Sequence, residues 1–128
     1  MALVVVDASV LIAHLNTSDA LHHRAFVALR TCRADDLILP ASALAETLVV
    51  PLRQGRLEVA RDAIEGMLIR VEPVTDAIAQ EAARLRATHV SLRLPDALVI
   101  ATGNCLDAVT VLTADRKWAR LSSRVRLI

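Results

Sequence analysis

Residues 3–15 read LVVVDASVLIAHL, and this stretch indicates the fold class. Residues 3–6 are apolar and mostly β-branched, which predicts a short buried strand that ends at Asp7. The segment from Ala8 to Leu15 predicts a helix that begins at once, with Ser9 in its first turn. A buried strand that passes directly into a helix is typical of α/β proteins with parallel sheets.

The same alternation of apolar strands and amphipathic helices continues along the chain. Further strands are predicted at residues 37–39, 70–72, 108–112 and 125–128. Helices are predicted at residues 18–33, 42–53, 57–70, 77–89 and 97–106, and a terminal helix from Asp115 onward. Strands separated by helices at these intervals imply parallel pairing through crossover connections. We therefore expect a single domain over residues 1–128, built as a three-layer α/β/α sandwich around a mostly parallel sheet.

Hydroxyl and carboxylate side chains at the expected helix starts predict N-caps. The candidates are Ser18 or Asp19, Ser42 and Thr75. Pro51 falls inside the third predicted helix and should kink it or mark its last turn. In the fourth predicted helix, apolar positions recur at helical spacing and are expected to face inward: Val59, Ala63, Ile64, Met67 and Leu68.

The composition suits an ordered protein. Hydrophobic residues make up 55% and charged residues 23% of the chain, a balance that argues against disorder. No apolar run reaches the roughly 18 residues that a membrane-spanning helix needs, and the N-terminus lacks the basic leader of a secretion signal. Cys32 and Cys105 offer no disulfide framework. These features predict a soluble cytoplasmic protein without a membrane partner.

Charge is unevenly distributed, although the formal net charge is only +1. After Asp115 the chain carries cations and no acid: Arg116, Lys117, Arg120, Arg124 and Arg126. This basic stretch is either a solvated face or a surface that binds phosphate or a protein partner. Aromatic residues make up only 2% of the chain, which disfavours extended base stacking. Any nucleic acid would be held through its backbone and shape.

Four carboxylates stand at the ends of predicted elements or beside apolar residues. Asp7 and Asp115 each follow a strand, Asp96 opens an apolar helix, and Glu46 lies one turn into another. The carboxyl ends of parallel strands share the sheet edge at which open α/β sheets bind ligands. Two such charges roughly 4 Å apart repel by about 4 kcal/mol, and a divalent cation would relieve that repulsion. Oxygen ligands without His or Cys favour Mg²⁺ or Mn²⁺, ions that support phosphodiester hydrolysis.

Each acid also has a simpler interpretation. Asp7, Asp96 and Asp115 could be helix-starting residues that complement the helix dipole. Glu46 is harder to explain in this way, because a carboxylate buried without a partner on an apolar helix is costly. Spacing alone leaves both interpretations open.

Four motifs resemble those of PIN-domain ribonucleases, in the same order and over the whole length of the chain. They are residues 5–11 (VVDASVL), 43–46 (ALAE), 94–102 (LPDALVIAT) and 111–116 (VLTADR). The resemblance implies that an acidic quartet forms the catalytic site, supported by two hydroxyl groups. The quartet is Asp7, Glu46, Asp96 and Asp115, and the hydroxyl groups belong to Thr113 and Ser9. It further implies Mg²⁺ or Mn²⁺ as cofactor, held by the three aspartates.

Many small proteins of this family are VapC-type toxins of type II toxin–antitoxin pairs. The resemblance therefore implies an RNA substrate such as tRNA or rRNA, a cognate antitoxin and a homodimer. Some relatives carry a further acid shortly after the fourth one, whereas Arg116 and Lys117 follow Asp115 here. This departure puts a second metal ion in question.

Other classes fit the residues less well. A haloacid-dehalogenase-like phosphatase would carry a second aspartate two residues after its nucleophile, where this chain has Ser9. A receiver domain needs paired acids near its start and a lysine that follows one of its earlier strands. Here Lys117 follows Asp115 instead. No Gly-x-Ser-x-Gly motif indicates a serine hydrolase, and the histidines lack zinc spacing. A catalytically inactive PIN-like module that binds RNA or protein is the main alternative, although all four acids are present.

Overall fold

The computed structural model of the protein describes residues 2–128. Its strands are β1 (Leu3–Val6), β2 (Asp36–Pro40), β3 (Arg70–Glu72), β4 (Thr110–Thr113) and β5 (Val125–Leu127). Its helices are α1 (Ala8–Leu15), α2 (His22–Thr31), α3 (Ala41–Arg53), α4 (Leu57–Gly66), α5 (Asp76–Thr88) and α6 (Leu94–Cys105), and a short 3₁₀ helix spans Arg116–Arg120. Over the described residues, no helix is both long enough and apolar enough to cross a membrane.

The strands form one parallel sheet in the order β3-β2-β1-β4-β5. In the central strand β1, Val4, Val5 and Val6 are each 1% exposed or less. Because alternate residues of a strand point to opposite faces, both faces of the sheet are covered. The predicted three-layer α/β/α sandwich is therefore confirmed.

The order of strands reverses at β1. The chain adds β2 and β3 on one side of β1, and then adds β4 and β5 on the other side. In open parallel sheets, such a reversal leaves a crevice at the carboxyl ends of the strands that flank it. Here those ends are marked by Asp7, directly after β1, and by Thr113, the last residue of β4.

Helix α6 is buried over most of its length and packs against β1, β4 and α5. A Cβ added to Gly103 would lie 2.5 Å from Val111 Cγ2 on β4. A larger residue at position 103 would therefore push the helix away from the sheet, since closely packed interiors have no spare volume. This close approach helps to fix α6, and with it Asp96 in its first turn, relative to β4.

Helix α2 begins later than predicted, at His22. The side chains before it bind backbone amides in a turn, because Asn16 Oδ1 accepts from the Ser18 amide at 3.0 Å and Asp19 Oδ1 accepts from the Leu21 amide at 2.8 Å. Such local hydrogen bonds compete with helix formation. The predicted N-cap at Ser18 or Asp19 is therefore wrong.

Helix α3 begins directly after β2, so the predicted N-cap at Ser42 is also wrong. The Ser42 hydroxyl is buried and has no hydrogen-bond partner among residues 2–128. Pro51 lies in the last turn of α3, which was one of the two predictions for this proline, the other being a kink. Thr75 does cap α5, since its hydroxyl accepts a hydrogen bond of 3.2 Å from the Ile78 amide.

Helix α4 is shorter than predicted. Leu68 follows its end with a φ of 56° and is 90% exposed, so a left-handed residue replaces the expected last turn. Ala60 and Ile64 face inward, whereas Val59 is 59% exposed and Ala63 also faces solvent. Because α4 packs mainly against α3, a narrow apolar stripe is enough to bury its inner face.

Candidate active site

Asp7 lies at the carboxyl end of β1 and is largely buried, with 8% of its surface exposed. Its Oδ2 accepts hydrogen bonds from Ser9 Oγ at 2.6 Å and from Thr113 Oγ1 at 3.0 Å. Burial raises the pKa of the Asp7 carboxyl, and the two hydroxyl groups offset that effect only in part. Asp7 is the N-cap residue of α1 without a side-chain cap hydrogen bond, and the backbone amides of Ala8 and Ser9 also lower the pKa of its carboxyl. Asp7 therefore stands at the start of α1, as the helix-start interpretation expects, but its side-chain hydrogen bonds run to Ser9 and Thr113.

Backbone amides hold these two hydroxyl groups in a fixed direction. The Ala114 amide donates to Ser9 Oγ at 3.0 Å, and the Asp115 amide donates to Thr113 Oγ1 at 3.1 Å. Since each hydroxyl oxygen already accepts a hydrogen bond, its own hydrogen is directed to Asp7. Both act on Oδ2, and no side-chain hydrogen bond from residues 2–128 reaches Asp7 Oδ1. Oδ1 thus has no hydroxyl donor within the described residues.

Asp96 lies in the first turn of α6, where Arg93 Nε is 3.6 Å from Asp96 Oδ2. Partial burial is the largest influence on the Asp96 carboxyl and raises its pKa. The charge of Arg93 lowers that pKa, while the charges of Asp7 and Asp115 raise it further. These effects show that Asp96 shares one electrostatic cluster with Asp7 and Asp115.

Glu46 projects from α3 and is exposed as a whole residue, which differs from the buried carboxylate that its apolar neighbours predicted. Its carboxyl nevertheless loses part of its water, and this partial burial is the main cause that raises its pKa. The charges of Asp7 and Asp96 raise the pKa further, and Arg93 lowers it. The fold therefore brings together acids from the end of β1, from α3 and from α6.

Asp115 follows β4 and caps the short 3₁₀ helix, since its Oδ1 accepts a hydrogen bond of 2.9 Å from the Lys117 amide. The predicted terminal helix is thus reduced to the 3₁₀ segment Arg116–Arg120. The helix-start interpretation is correct for Asp115, but this cap engages only one of its two carboxylate oxygens. The same residue acts electrostatically on Asp96.

The four carboxylates make up an oxygen-only donor set. Within residues 2–128, no three His, Cys, Asp or Glu side chains are already gathered as closely as a complete metal site requires. Repulsion between the negative charges keeps the four carboxylates apart, and a divalent cation would draw them toward one another. The donor chemistry fits Mg²⁺ or Mn²⁺, which prefer carboxylate oxygens, and Mg²⁺ keeps several water ligands in such sites.

A cleft of about 850 Å³ opens beside Asp96 and Asp115. Its walls include four cationic side chains and one histidine: Arg93, Arg116, Lys117, Arg120 and His89. The structure therefore divides the predicted basic stretch. Its first three cations line the cleft, whereas Arg124 donates to the Ala108 carbonyl and to Asp107. These cations can contact the phosphates of a polyanion, while Asp96 and Asp115 line the same cleft.

Two residues that were not predicted as part of the site, Arg93 and His89, line the cleft from the connection between α5 and α6. Arg93 stands three positions before Asp96, and the spacing of a helical turn could have placed these two side chains next to each other. No comparable signal points to His89, because its segment meets the 3₁₀ helix only in the tertiary structure.

A known protein family matches most of the chain, including the segment that carries this site. The sequence model of the PIN domain matches residues 4–123. The chain belongs to the PIN domain family. The matched segment of this PIN domain contains all four acids together with Ser9 and Thr113. No curated protein sequence matches the chain significantly.

Solved structures of low sequence identity share this PIN fold. VapC20 of Mycobacterium tuberculosis, described as a sarcin-ricin loop cleaving toxin, is 22% identical with a TM-score of 0.75, over 91% of this chain and 93% of its own. A toxin–antitoxin complex from Klebsiella pneumoniae matches at 21% identity and a TM-score of 0.79, over 96% and 95% of the two chains. VapBC2 from Rickettsia felis, bound to a promoter DNA fragment, matches at 14% identity and a TM-score of 0.77, over 98% of each chain. At these identities the similarity shows the fold.

Proposed function

We propose that this PIN-domain protein is a divalent-metal-dependent ribonuclease that hydrolyses RNA phosphodiester bonds as the toxin of a type II toxin–antitoxin pair. One observation carries the proposal. At the carboxyl edge of the sheet, the charge of Asp7 raises the pKa of both Glu46 and Asp96, and the charge of Asp115 also acts on Asp96. Acids that repel one another at a ligand-binding edge are best explained by a cation that they share.

In this proposal, Asp7, Asp96 and Asp115 hold Mg²⁺ or Mn²⁺ through carboxylate oxygens. When bound, the ion supplies positive charge that stabilises phosphoryl oxygens and makes a nearby water more acidic. Ser9 and Thr113 keep Asp7 in place by donating to its Oδ2, at 2.6 Å and 3.0 Å. With Oδ2 engaged by these hydroxyl groups, Oδ1 would be the Asp7 oxygen offered to the ion.

Glu46 serves as the proton acceptor. It is exposed, so water can reach it, and its raised pKa makes it a better base than an ordinary surface glutamate. As Glu46 takes the proton, the water oxygen bonds to phosphorus and the bond from phosphorus to the leaving oxygen breaks. The leaving oxygen takes up a proton from solvent and departs as the hydroxyl end of the second RNA fragment.

RNA is held mainly by its phosphates. Arg116, Lys117 and Arg120 line the cleft next to Asp96 and Asp115, so a phosphate bound there lies beside the acids. Contacts of this kind position the backbone without reading bases. The description of VapC20 as a sarcin-ricin loop cleaving toxin supports structured RNA, such as rRNA or tRNA, as the substrate class.

The proposed protein partners are a cognate antitoxin and a second copy of the chain. Solved relatives include toxin–antitoxin complexes. Apolar side chains on α3 and α4 remain exposed: Val49, Val50, Leu52 and Val59. Exposed apolar side chains on two neighbouring helices support a protein contact. We place the activity in the cytoplasm, where RNA and an antitoxin would both be present.

Cleavage of a structured RNA by the purified protein tests this proposal. We expect cleavage with Mg²⁺ or Mn²⁺ and none with a chelator or in Asp115→Asn. Asp62→Asn, which neutralises an exposed acid on α4, is the matched control and should cleave normally. Cleavage that persists with the chelator contradicts the mechanism. RNA binding without cleavage at any divalent ion would favour the inactive PIN-like module.

A further inference from the structure

Arg93 lies in the cleft beside the acids Asp96 and Asp115. It precedes α6 with an extended backbone, at φ −75° and ψ 153°, and lines the same cleft as Arg116 and Lys117. Its guanidinium also lies next to the carboxylate of Asp96, one of the proposed metal ligands. Its guanidinium can therefore reach either a carboxylate or a phosphate.

The ion pair between Arg93 and Asp96 is loose. The distance from Arg93 Nε to Asp96 Oδ2 is 3.6 Å, and the Arg93 side chain is 73% exposed. A pair of the same spacing in this chain forms two short hydrogen bonds, from Arg84 Nε and Nη2 to Glu81 at 2.6 and 2.7 Å. The contact with Asp96 exceeds the usual range of a hydrogen bond, and exposed pairs contribute little. The guanidinium of Arg93 can therefore move away from Asp96 at little cost in free energy.

From this geometry we infer that Arg93 is an exchangeable counter-cation, an inference that rests on the proposed ribonuclease function. Without a divalent ion, Arg93 pairs with Asp96 and offsets part of the negative charge of the cluster. When the ion occupies the carboxylates, it repels the guanidinium from Asp96. Arg93 then turns away from Asp96 within the cleft and binds a phosphate of the RNA, for which its forked donors are suited. Binding of metal and binding of RNA are thereby coupled through one side chain.

Arg93→Gln tests this exchange, because it is expected to change two binding constants in opposite directions. Mn²⁺ binding, measured without RNA by calorimetry at low salt, should become about two- to fivefold tighter because the competing cation is gone. Binding of a labelled RNA hairpin should weaken, and by a larger factor in Mn²⁺ than in chelator. The RNA measurement is made in a Glu46→Gln background, so that the hairpin is not cleaved.

Two further variants separate the exchange from a simple loss of charge. Arg120→Gln removes a cleft cation that forms no ion pair within residues 2–128. It should weaken RNA binding equally with and without Mn²⁺ and leave Mn²⁺ binding unchanged. Arg93→Lys keeps the charge and should resemble the wild type in Mn²⁺ binding.

Unchanged or weaker Mn²⁺ binding in Arg93→Gln would overturn the inference. So would an equal loss of RNA binding with and without Mn²⁺, since that result describes a permanent phosphate contact. If the wild-type protein itself binds no Mn²⁺, the proposed function fails as well. If it binds Mn²⁺ and Arg93→Gln behaves like the wild type, only the role of Arg93 is refuted.

Discussion

The Thr113 hydroxyl donates a hydrogen bond of 3.0 Å to Asp7 Oδ2, although the two residues are 106 positions apart. The bond joins the carboxyl ends of β4 and β1, where the order of strands reverses. The same hydroxyl accepts a hydrogen bond of 3.1 Å from the Asp115 amide. A single buried side chain therefore orients two of the proposed metal ligands.

Thr113→Val should impair both folding stability and activity. Valine has nearly the same shape, but it removes the donor to Asp7 and leaves the Asp115 amide without its acceptor. We expect a loss of about 1–3 kcal/mol in the free energy of unfolding, and a loss of activity of roughly 10- to 100-fold, as for other residues that orient metal ligands.

Thr110→Val is the matched control, since Thr110 is a buried threonine on the same strand and lies outside the hydrogen-bond network of Asp7. Denaturant unfolding and RNA cleavage rates measure the two effects. Equal activity losses in the two variants would show that Thr113 acts only through general packing.

Metal binding should stabilise the folded protein. A ligand at roughly 100 times its Kd stabilises by about 2.7 kcal/mol, so saturating Mn²⁺ should raise the melting temperature by several degrees. Asp7→Asn and Asp96→Asn should each abolish that increase, because the ion loses a ligand and a compensating charge. Asp62→Asn should retain it. A full increase in both site variants would refute the proposed ligands.

Stability without metal should depend on pH through Asp7. Its pKa is raised in the folded protein from an ordinary value of 3.8, so the unfolded chain loses this proton first as the pH rises. Stability therefore declines from about pH 4 through the folded pKa and stays reduced above it.

Asp7→Asn removes this titration while its carbonyl oxygen can still accept from Ser9 and Thr113. In chelator, the variant should be more stable than the wild type at pH 7, and the difference should vanish as the pH falls below 3.8. Denaturant titrations over this pH range provide the measurement. A difference that is constant with pH, or grows toward acid, contradicts the burial of a charged Asp7.

The basic cleft should control the salt dependence of RNA binding. Arg116→Gln with Lys117→Gln should weaken binding to a structured RNA and lower the slope of log K against log salt by about 0.7–0.9 for each phosphate that is no longer neutralised. Arg56→Gln with Arg61→Gln removes two exposed cations from the region of α4, outside the cleft, and is the control. Identical slopes in both double variants would assign Arg116 and Lys117 to solvation or to a protein partner.

Much of the sheet could be predicted from local sequence. The β-branched run before Asp7 and the apolar run before Asp115 each predict a strand, because burial selects such residues on both faces. Parallel strands share one carboxyl edge, so the position of these two acids at the same edge followed from the alternation of strands and helices. The predicted strands at residues 3–6 and 70–72 agree with the observed bounds.

Helix bounds were less predictable where side chains compete for the backbone. Asp19 favoured a helix cap by its residue type, but in the structure it closes a turn instead. Leu68 continued the apolar spacing of α4, yet it adopts a left-handed conformation and faces solvent. In both places the backbone adopts a local turn conformation that residue type and apolar spacing alone do not distinguish from a helix.

By itself, the sequence determined the fold class and the acids that could act, because strand burial and carboxylate chemistry are properties of residues and their immediate neighbours. Only the tertiary structure decided that Thr113 donates to Asp7, that Arg93 reaches Asp96 at the mouth of a cleft, and that the basic stretch is split between this cleft and a contact with Asp107. These relationships depend on β4 pairing next to β1. That pairing is chosen by the packing of the whole core and leaves no signal in any local stretch of residues.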